Sequence, residues 1–138
     1  MKQLTVILLM ILCISCGQKV EKEDLEFLSG YWEISVVEFP SGDKKRYEIN
    51  TTVDYIDVSG MEGYRKKVQP LPDGSFITSD DAENFSLSSR DDAYIMLYNN
   101  EMSEWEEEIE QLTETLLVLK NNEQIRYIYK RYHPVILD

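Results

Sequence analysis

Cysteine is nearly missing from this chain of 138 residues: Cys13 and Cys16 are the only two, and none follows them. Disulfides, thiolate metal sites and cysteine nucleophiles are therefore excluded from everything beyond residue 16. Histidine is reduced to His133, which precedes Pro134 near the C-terminus. A Ser-His-Asp arrangement or a His-based metal site would have to be assembled around that tail position, so His133 reads as a solvated residue. Positive charge is also short, since 14 Lys and Arg stand against 26 Asp and Glu for a net charge of −12. Phosphate affinity comes from clustered positive charge, and a nucleic-acid partner is excluded as the default. Only six glycines and four prolines occur, and no Gly-rich loop opens a helix that would cradle a phosphate. What remains is 43% apolar and 29% charged, an ordinary globular composition of a length that suits one domain.

The one long apolar run lies at the start. Lys2 supplies a positive charge, Leu4 to Ile14 is almost unbroken apolar, and Ser15-Cys16-Gly17 follows, the three-part layout of an export signal. Such a run is shorter than the roughly 20 residues that span a bilayer, so cleavage is expected. Cys13-Ile14-Ser15-Cys16 resembles the lipobox of bacterial lipoproteins, where a small residue precedes a Cys that is acylated and becomes the new N-terminus. The resemblance implies a signal peptide over 1–15, a lipid on Cys16 with a polar tether over 16–24, and a domain over 25–138. It also implies a location in the bacterial cell envelope, on the outer membrane, with the membrane as a partner through Cys16. Two or more acyl chains hold a protein stably where one does not, at about 0.8 kcal/mol per buried methylene. An acidic domain is repelled by an anionic lipid surface, which leaves the anchoring to the lipid.

Turn chemistry recurs beyond the tether, at Pro40 to Asp43, Ser59 to Gly63, Pro72-Asp73-Gly74, Ser79 to Asp81, Ser88 to Asp92, Asn99-Asn100 and Asn121-Asn122. The runs between are rich in Tyr, Val, Ile and Thr, so the spacing predicts antiparallel strands closed into a barrel or sandwich. Alternation predicts an extended segment with Tyr47, Ile49, Thr51, Val53 and Tyr55 on its apolar face and Glu48, Asn50, Thr52 and Asp54 on the other. Trp32, Ile34 and Val36 form a second set, and the change of phase to Val37 and Phe39 fits a bulge or a strand end. Ile125, Tyr127 and Tyr129 alternate near the C-terminus. Val20 to Leu28 is the expected place for a short helix.

Ser103 to Leu116 admits two readings. Trp105, Ile109, Leu112 and Leu116 fall at helical spacing. A helix, however, sets Glu104 against Glu108 and Glu106 against Glu110, like charges that each cost a few tenths of a kcal/mol. A strand lays the same glutamates beside basic segments such as Arg65-Lys66-Lys67 or Arg126 to Arg131, where opposite charges across strands help. The strand is the expectation.

Leu28-Ser29-Gly30-Tyr31-Trp32 resembles the Gly-x-Trp opening of lipocalins and of the lipocalin-like domains of small bacterial lipoproteins. The segments Trp105 to Glu114, Leu116 to Lys120 and Tyr127 to Tyr132 resemble the closing strands of those bacterial domains. The resemblance implies an all-β fold, an antiparallel up-and-down barrel preceded by a short N-terminal helix. It further implies that Trp32 sits at the closed end with Arg131 or Lys130 packed across it, a structural pair contributing about 0.5 to 2 kcal/mol.

Groups for catalysis are scarce. Asp80-Asp81-Ala82-Glu83 and Asp91-Asp92 lack the alternating Asp/Asn pattern, central Gly and distal Glu of a calcium loop, and read as solvated turns. Glu107 is the carboxylate that a strand sets between Trp105 and Ile109. It either pairs with a cation such as Lys66 or Arg126, or sits in apolar surroundings with a raised pKa. No second catalytic group accompanies it, so neither an enzyme nor a cofactor is expected. Nine tyrosines carry apolar bodies with polar tips, which suits a lining for an amphipathic molecule as well as plain packing. The expected function is a non-catalytic binding module for a small apolar or amphipathic molecule, in a cavity lined by Trp32, Ile34, Tyr47, Ile49, Tyr94 and Tyr129. The rival expectation is a lipoprotein with a filled barrel that contacts another envelope protein.

Overall fold

A computed structural model describes residues 18–134; the signal segment and Cys16 lie outside them. A 3₁₀ helix, Lys22–Leu28, leads into ten strands: β1 (Gly30–Glu38), β2 (Lys44–Arg46), β3 (Val53–Ser59), β4 (Glu62–Pro70), β5 (Phe76–Thr78), β6 (Glu83–Arg90), β7 (Ala93–Asn99), β8 (Glu104–Leu112), β9 (Leu116–Asn121) and β10 (Arg126–Arg131). All pairings are antiparallel. Eight strands form a closed ring in the order β1-β3-β4-β6-β7-β8-β9-β10, and β10 pairs back onto β1 with Trp32 opposite Arg131. The short β2 and β5 lie off the ring. β2 lines the upper part of β1 beyond the three residues that pair with β3, and β5 lines the upper part of β4 beyond the four residues that pair with β6. This is the up-and-down barrel with a preceding short helix that the resemblance implies, and it settles the barrel-or-sandwich alternative left by the strand spacing.

Period-2 alternation decides which side chains enter the barrel. One end is filled. Leu25 and Leu28 of the helix close it, and Trp32, Ile56, Met96 and Leu117 pack above them with almost no exposed surface. Two bulges keep apolar residues on the inner side: one between Ile34 and Val36 brings Val37 opposite Tyr127, and one between Ile109 and Gln111 brings Leu112 opposite Leu117. The β6–β7 hairpin turns on Asp91 and Asp92, both at positive φ (51° and 63°). That pair of left-handed residues is what a two-residue hairpin of type I′ requires, and it accounts for the acidic dipeptide without a cation.

The segment 103–116 contains strand β8. Its outward glutamates meet opposite charges, with Arg90 Nη1 donating to Glu106 Oε1 at 2.7 Å, Lys120 Nζ 3.1 Å from Glu108 and Arg126 Nε donating to Glu110 at 2.8 Å. Of the basic residues proposed from sequence for this ladder, Arg126 takes part, while Arg90 and Lys120 supply the rest.

Two expectations are corrected. The continuous strand 47–55 is in fact a loop followed by β3 from Val53, because β1 has handed its upper edge to β2 and the chain must cross from β2 to β3. Asn50 fastens that crossing by donating from Nδ2 to the Ile34 carbonyl at 3.0 Å. The faces of β3 are also reversed: Asp54 and Ile56 are buried inside, while Tyr55 lies outside against Tyr31, ring centroids 4.8 Å apart. Within the segment 16–24 read as a tether, Val20 is buried in the core and the helix begins at Lys22, inside the range Val20 to Leu28 expected for it.

Candidate functional site

Above the filled layer, three strands aim charged side chains into the barrel. β3 brings Asp54 opposite Lys67 of β4, β4 brings Arg65 opposite Ile56, and β8 brings Glu107 opposite Met96 of β7 and Asn121 of β9. Arg65 is the hub. Its Nη2 donates to Asp54 Oδ2 at 3.0 Å and to the Tyr129 hydroxyl at 2.6 Å, and its Nη1 donates to Glu107 Oε1 at 3.1 Å and to the Tyr98 hydroxyl at 3.3 Å. Burial opposes the charge on Arg65, but Tyr129, Asp54, Tyr98 and Glu107 more than offset it and hold its pKa well above the usual value. Burial likewise pushes the Tyr129 hydroxyl up to about 12 and the Tyr98 hydroxyl higher still. Both phenols are neutral near neutral pH and accept hydrogen bonds from the guanidinium.

The guanidinium stands between two carboxylates in this buried layer, and a second cation, Lys67, balances the charge. Lys67, whose side chain is 68% exposed, brings its ammonium within 2.6 Å of Asp54 Oδ1. That contact is an ion pair without hydrogen-bond geometry, and Oδ1 is left with no hydrogen bond although Asp54 is only 3% exposed.

This layer is the floor of a cavity of about 630 Å³ at the open end. Its walls are Trp105, Tyr127, Tyr129 and Asn121, and Ser79, Asp81, Ala82 and Glu83 of the β5–β6 connection form the rim. Trp105 stacks on Tyr98, with centroids 5.0 Å apart and planes 3° from parallel, which fixes the indole against the wall.

Of the six residues predicted to line a cavity, Tyr129 lies in this wall. Trp32 is fully buried below it and donates from Nε1 to the Leu28 carbonyl at 2.9 Å. Ile34 and Tyr94 are half-buried and pack against the filled core. Tyr47 is half-buried on the crossing that follows β2, where the Lys45 ammonium lies 5.0 Å from its ring centroid. Ile49 is corrected outright: it is 90% exposed on the β2–β3 crossing, because the strand that would have turned it inward does not form there. Sequence reasoning missed Asp54 and Arg65. The signal is present, since Asp54 shares its phase with Ile56 and Val58, but the alternation of Tyr47 to Tyr55 points to the other phase as the apolar face. Glu107 is buried as the strand reading implied, and its cation is Arg65 rather than Lys66 or Arg126. His133 is exposed, and among the described residues no group of three or more His, Cys, Asp or Glu is placed to hold a metal ion.

The closed end carries the other site named from sequence. The Arg131 guanidinium carbon lies 3.9 Å from the Trp32 ring centroid, and the same side chain donates to the carbonyls of Phe27 (2.7 Å), Ser29 (2.9 Å) and Glu114 (2.8 Å). Gly30 makes this possible. Its φ is +129°, and a Cβ there would stand 2.5 Å from Arg131 Nη1. The Gly-x-Trp opening, the helix plug and the basic residue returning from the last strand thus form one unit.

A lipocalin-like protein from Bacteroides uniformis is similar in structure, with 12% sequence identity and a TM-score of 0.48 over 77% of this chain and 99% of that one. An uncharacterized protein from Bacteroides eggerthii is similar to the same degree, with 14% identity and a TM-score of 0.48 over 76% of this chain and 99% of that one. No family model and no curated protein matches the sequence.

Proposed function

We propose that this protein is a lipid-anchored binding module of the bacterial cell envelope, which holds a small amphipathic molecule in the open end of its barrel and performs no chemistry on it. The observation that carries the reading is the cavity. Its volume of about 630 Å³ falls within the roughly 300–1,000 Å³ of small-molecule sites, and aromatic walls over a few fixed polar groups are what such sites use for grip and orientation.

The anchor and the cavity are consistent with each other in direction. The chain enters at the closed end, where Val20 is buried and Lys19 reaches Asp92 of the β6–β7 turn. A lipid on Cys16 then lies within a few residues of that end, and the mouth opens away from the membrane toward the aqueous compartment. Among the described residues no helix is long and apolar enough to cross a membrane, so anchoring in this reading falls to the acyl chains.

A second reading, an interaction lipoprotein that contacts another envelope protein, is favoured by one observation. A row of aromatic rings lies on the outer face, with Phe76 stacked on Tyr31 at 4.4 Å and Tyr55 next to Tyr31 and Tyr64. Native mass spectrometry of residues 17–138, purified from bacterial cells without detergent and then exposed to envelope extracts, separates the two. A stoichiometric small-molecule adduct is expected. A bare mass from folded protein throughout overturns the binding reading and leaves the outer face as the working surface.

A further inference from the structure

We infer that the ligand of the open-end cavity is an organic cation, an ammonium group on an apolar or aromatic body. The inference rests on the binding reading and specifies its chemistry. The Arg65 Nη groups are committed to four acceptors, Asp54, Glu107, Tyr98 and Tyr129, and the Lys67 ammonium sits on Asp54, so an incoming anion finds no free fork on the floor; Lys66 is the remaining basic residue of the lining. The unsatisfied group on the floor is an acceptor. Asp54 Oδ1 is buried, takes no hydrogen bond and belongs to the cavity lining. A hydrogen-bond donor is what it lacks, and a ligand ammonium that takes the place of Lys67 keeps the balance of two cations against two carboxylates.

Lys67 marks the position. Its ammonium touches Asp54 Oδ1 from a side chain that is mostly in solvent, so the contact holds a long flexible chain in one place with poor hydrogen-bond geometry. A ligand ammonium arriving at the same oxygen releases Lys67 to water. Trp105, Tyr127 and Tyr129 stand over the floor and supply ring faces, which attract a cation and its apolar body together.

The test uses three probes of one shape, 4-phenylbutylamine, 4-phenylbutan-1-ol and 4-phenylbutanoate, titrated calorimetrically into the chain from residue 17 at neutral pH. The amine is expected to bind about tenfold more tightly than the alcohol, with the carboxylate weakest. Asp54→Asn removes the advantage of the amine over the alcohol. Should that variant fail to fold, Lys67→Ala gives an independent reading, because removing the internal competitor strengthens amine binding several-fold. Equal or tighter binding of the alcohol or carboxylate overturns the inference and leaves the cavity reading intact, as does weaker amine binding by Lys67→Ala. Failure of all three probes to bind overturns the cavity reading and the inference with it.

Discussion

Arg131 from the last strand covers Trp32 of the first, 3.9 Å from its ring centroid, and the same guanidinium ties three carbonyls of the helix end and the β8–β9 turn. One side chain therefore joins the two ends of the barrel and the plug between them. Arg131→Ala removes the cation over the indole and leaves partly buried carbonyls without donors, a loss of about 2–4 kcal/mol. Arg131→Lys keeps the charge without the fork and is expected to fall between. Thermal unfolding measures both. A melting temperature unchanged by Arg131→Ala removes the assignment.

The Arg65 hub behaves differently, because its partners are themselves charged. Arg65→Met strands Asp54 and Glu107 in the barrel and is expected to cost about 3–5 kcal/mol. Adding Asp54→Asn and Glu107→Gln to that variant restores much of the loss, since the groups act as one unit and their effects do not add. Urea unfolding of the single and triple variants checks this. A triple variant less stable than Arg65→Met contradicts the coupling.

The closed end was legible in the sequence and the open end was not, for a physical reason. Gly30, Trp32 and Arg131 are read locally, since a Gly at positive φ and an indole fix the first turn of the barrel whatever lies above. The β8 glutamates were legible because like charges argue against a helix without reference to any partner. The site at the open end depends instead on phase. Tyr47 to Val53 alternates in sequence, but the tertiary hand-over of β1 from β3 to β2 breaks the strand before Val53 and sends Ile49 into solvent. Once that phase is lost, Asp54 reads as an outward residue, and Arg65 reads as one more surface base in Arg65-Lys66-Lys67. Only the pairing of Ile56 with Arg65 shows that both face inward.

Replacement of Cys16 tests where the protein sits. Cys16→Ala removes the proposed acylation site and is expected to release the domain into the soluble envelope fraction with its melting temperature unchanged, because Val20 is the first core residue among those described. Fractionation of cells carrying either form measures this. Continued membrane association of the variant contradicts the lipid anchor.

Alkali probes the buried phenols. Tyr129 is raised from 10 to about 12 by burial, with the nearby Arg65 cation offsetting part of the effect, and Tyr98 moves in the same direction from the same cause. A group whose folded pKa lies above its unfolded one binds more protons in the native state within that interval, so stability falls as pH rises. The stabilisation is complete below pH 10 and is lost between pH 10 and about 12. Urea unfolding across this range is expected to show the decline, with the buried phenols gaining the phenolate absorption band only as the barrel opens. Tyr129→Phe flattens part of the slope, because a ring without a hydroxyl has no proton to lose. A wild-type stability that stays level to pH 12 contradicts the burial of these hydroxyls around Arg65.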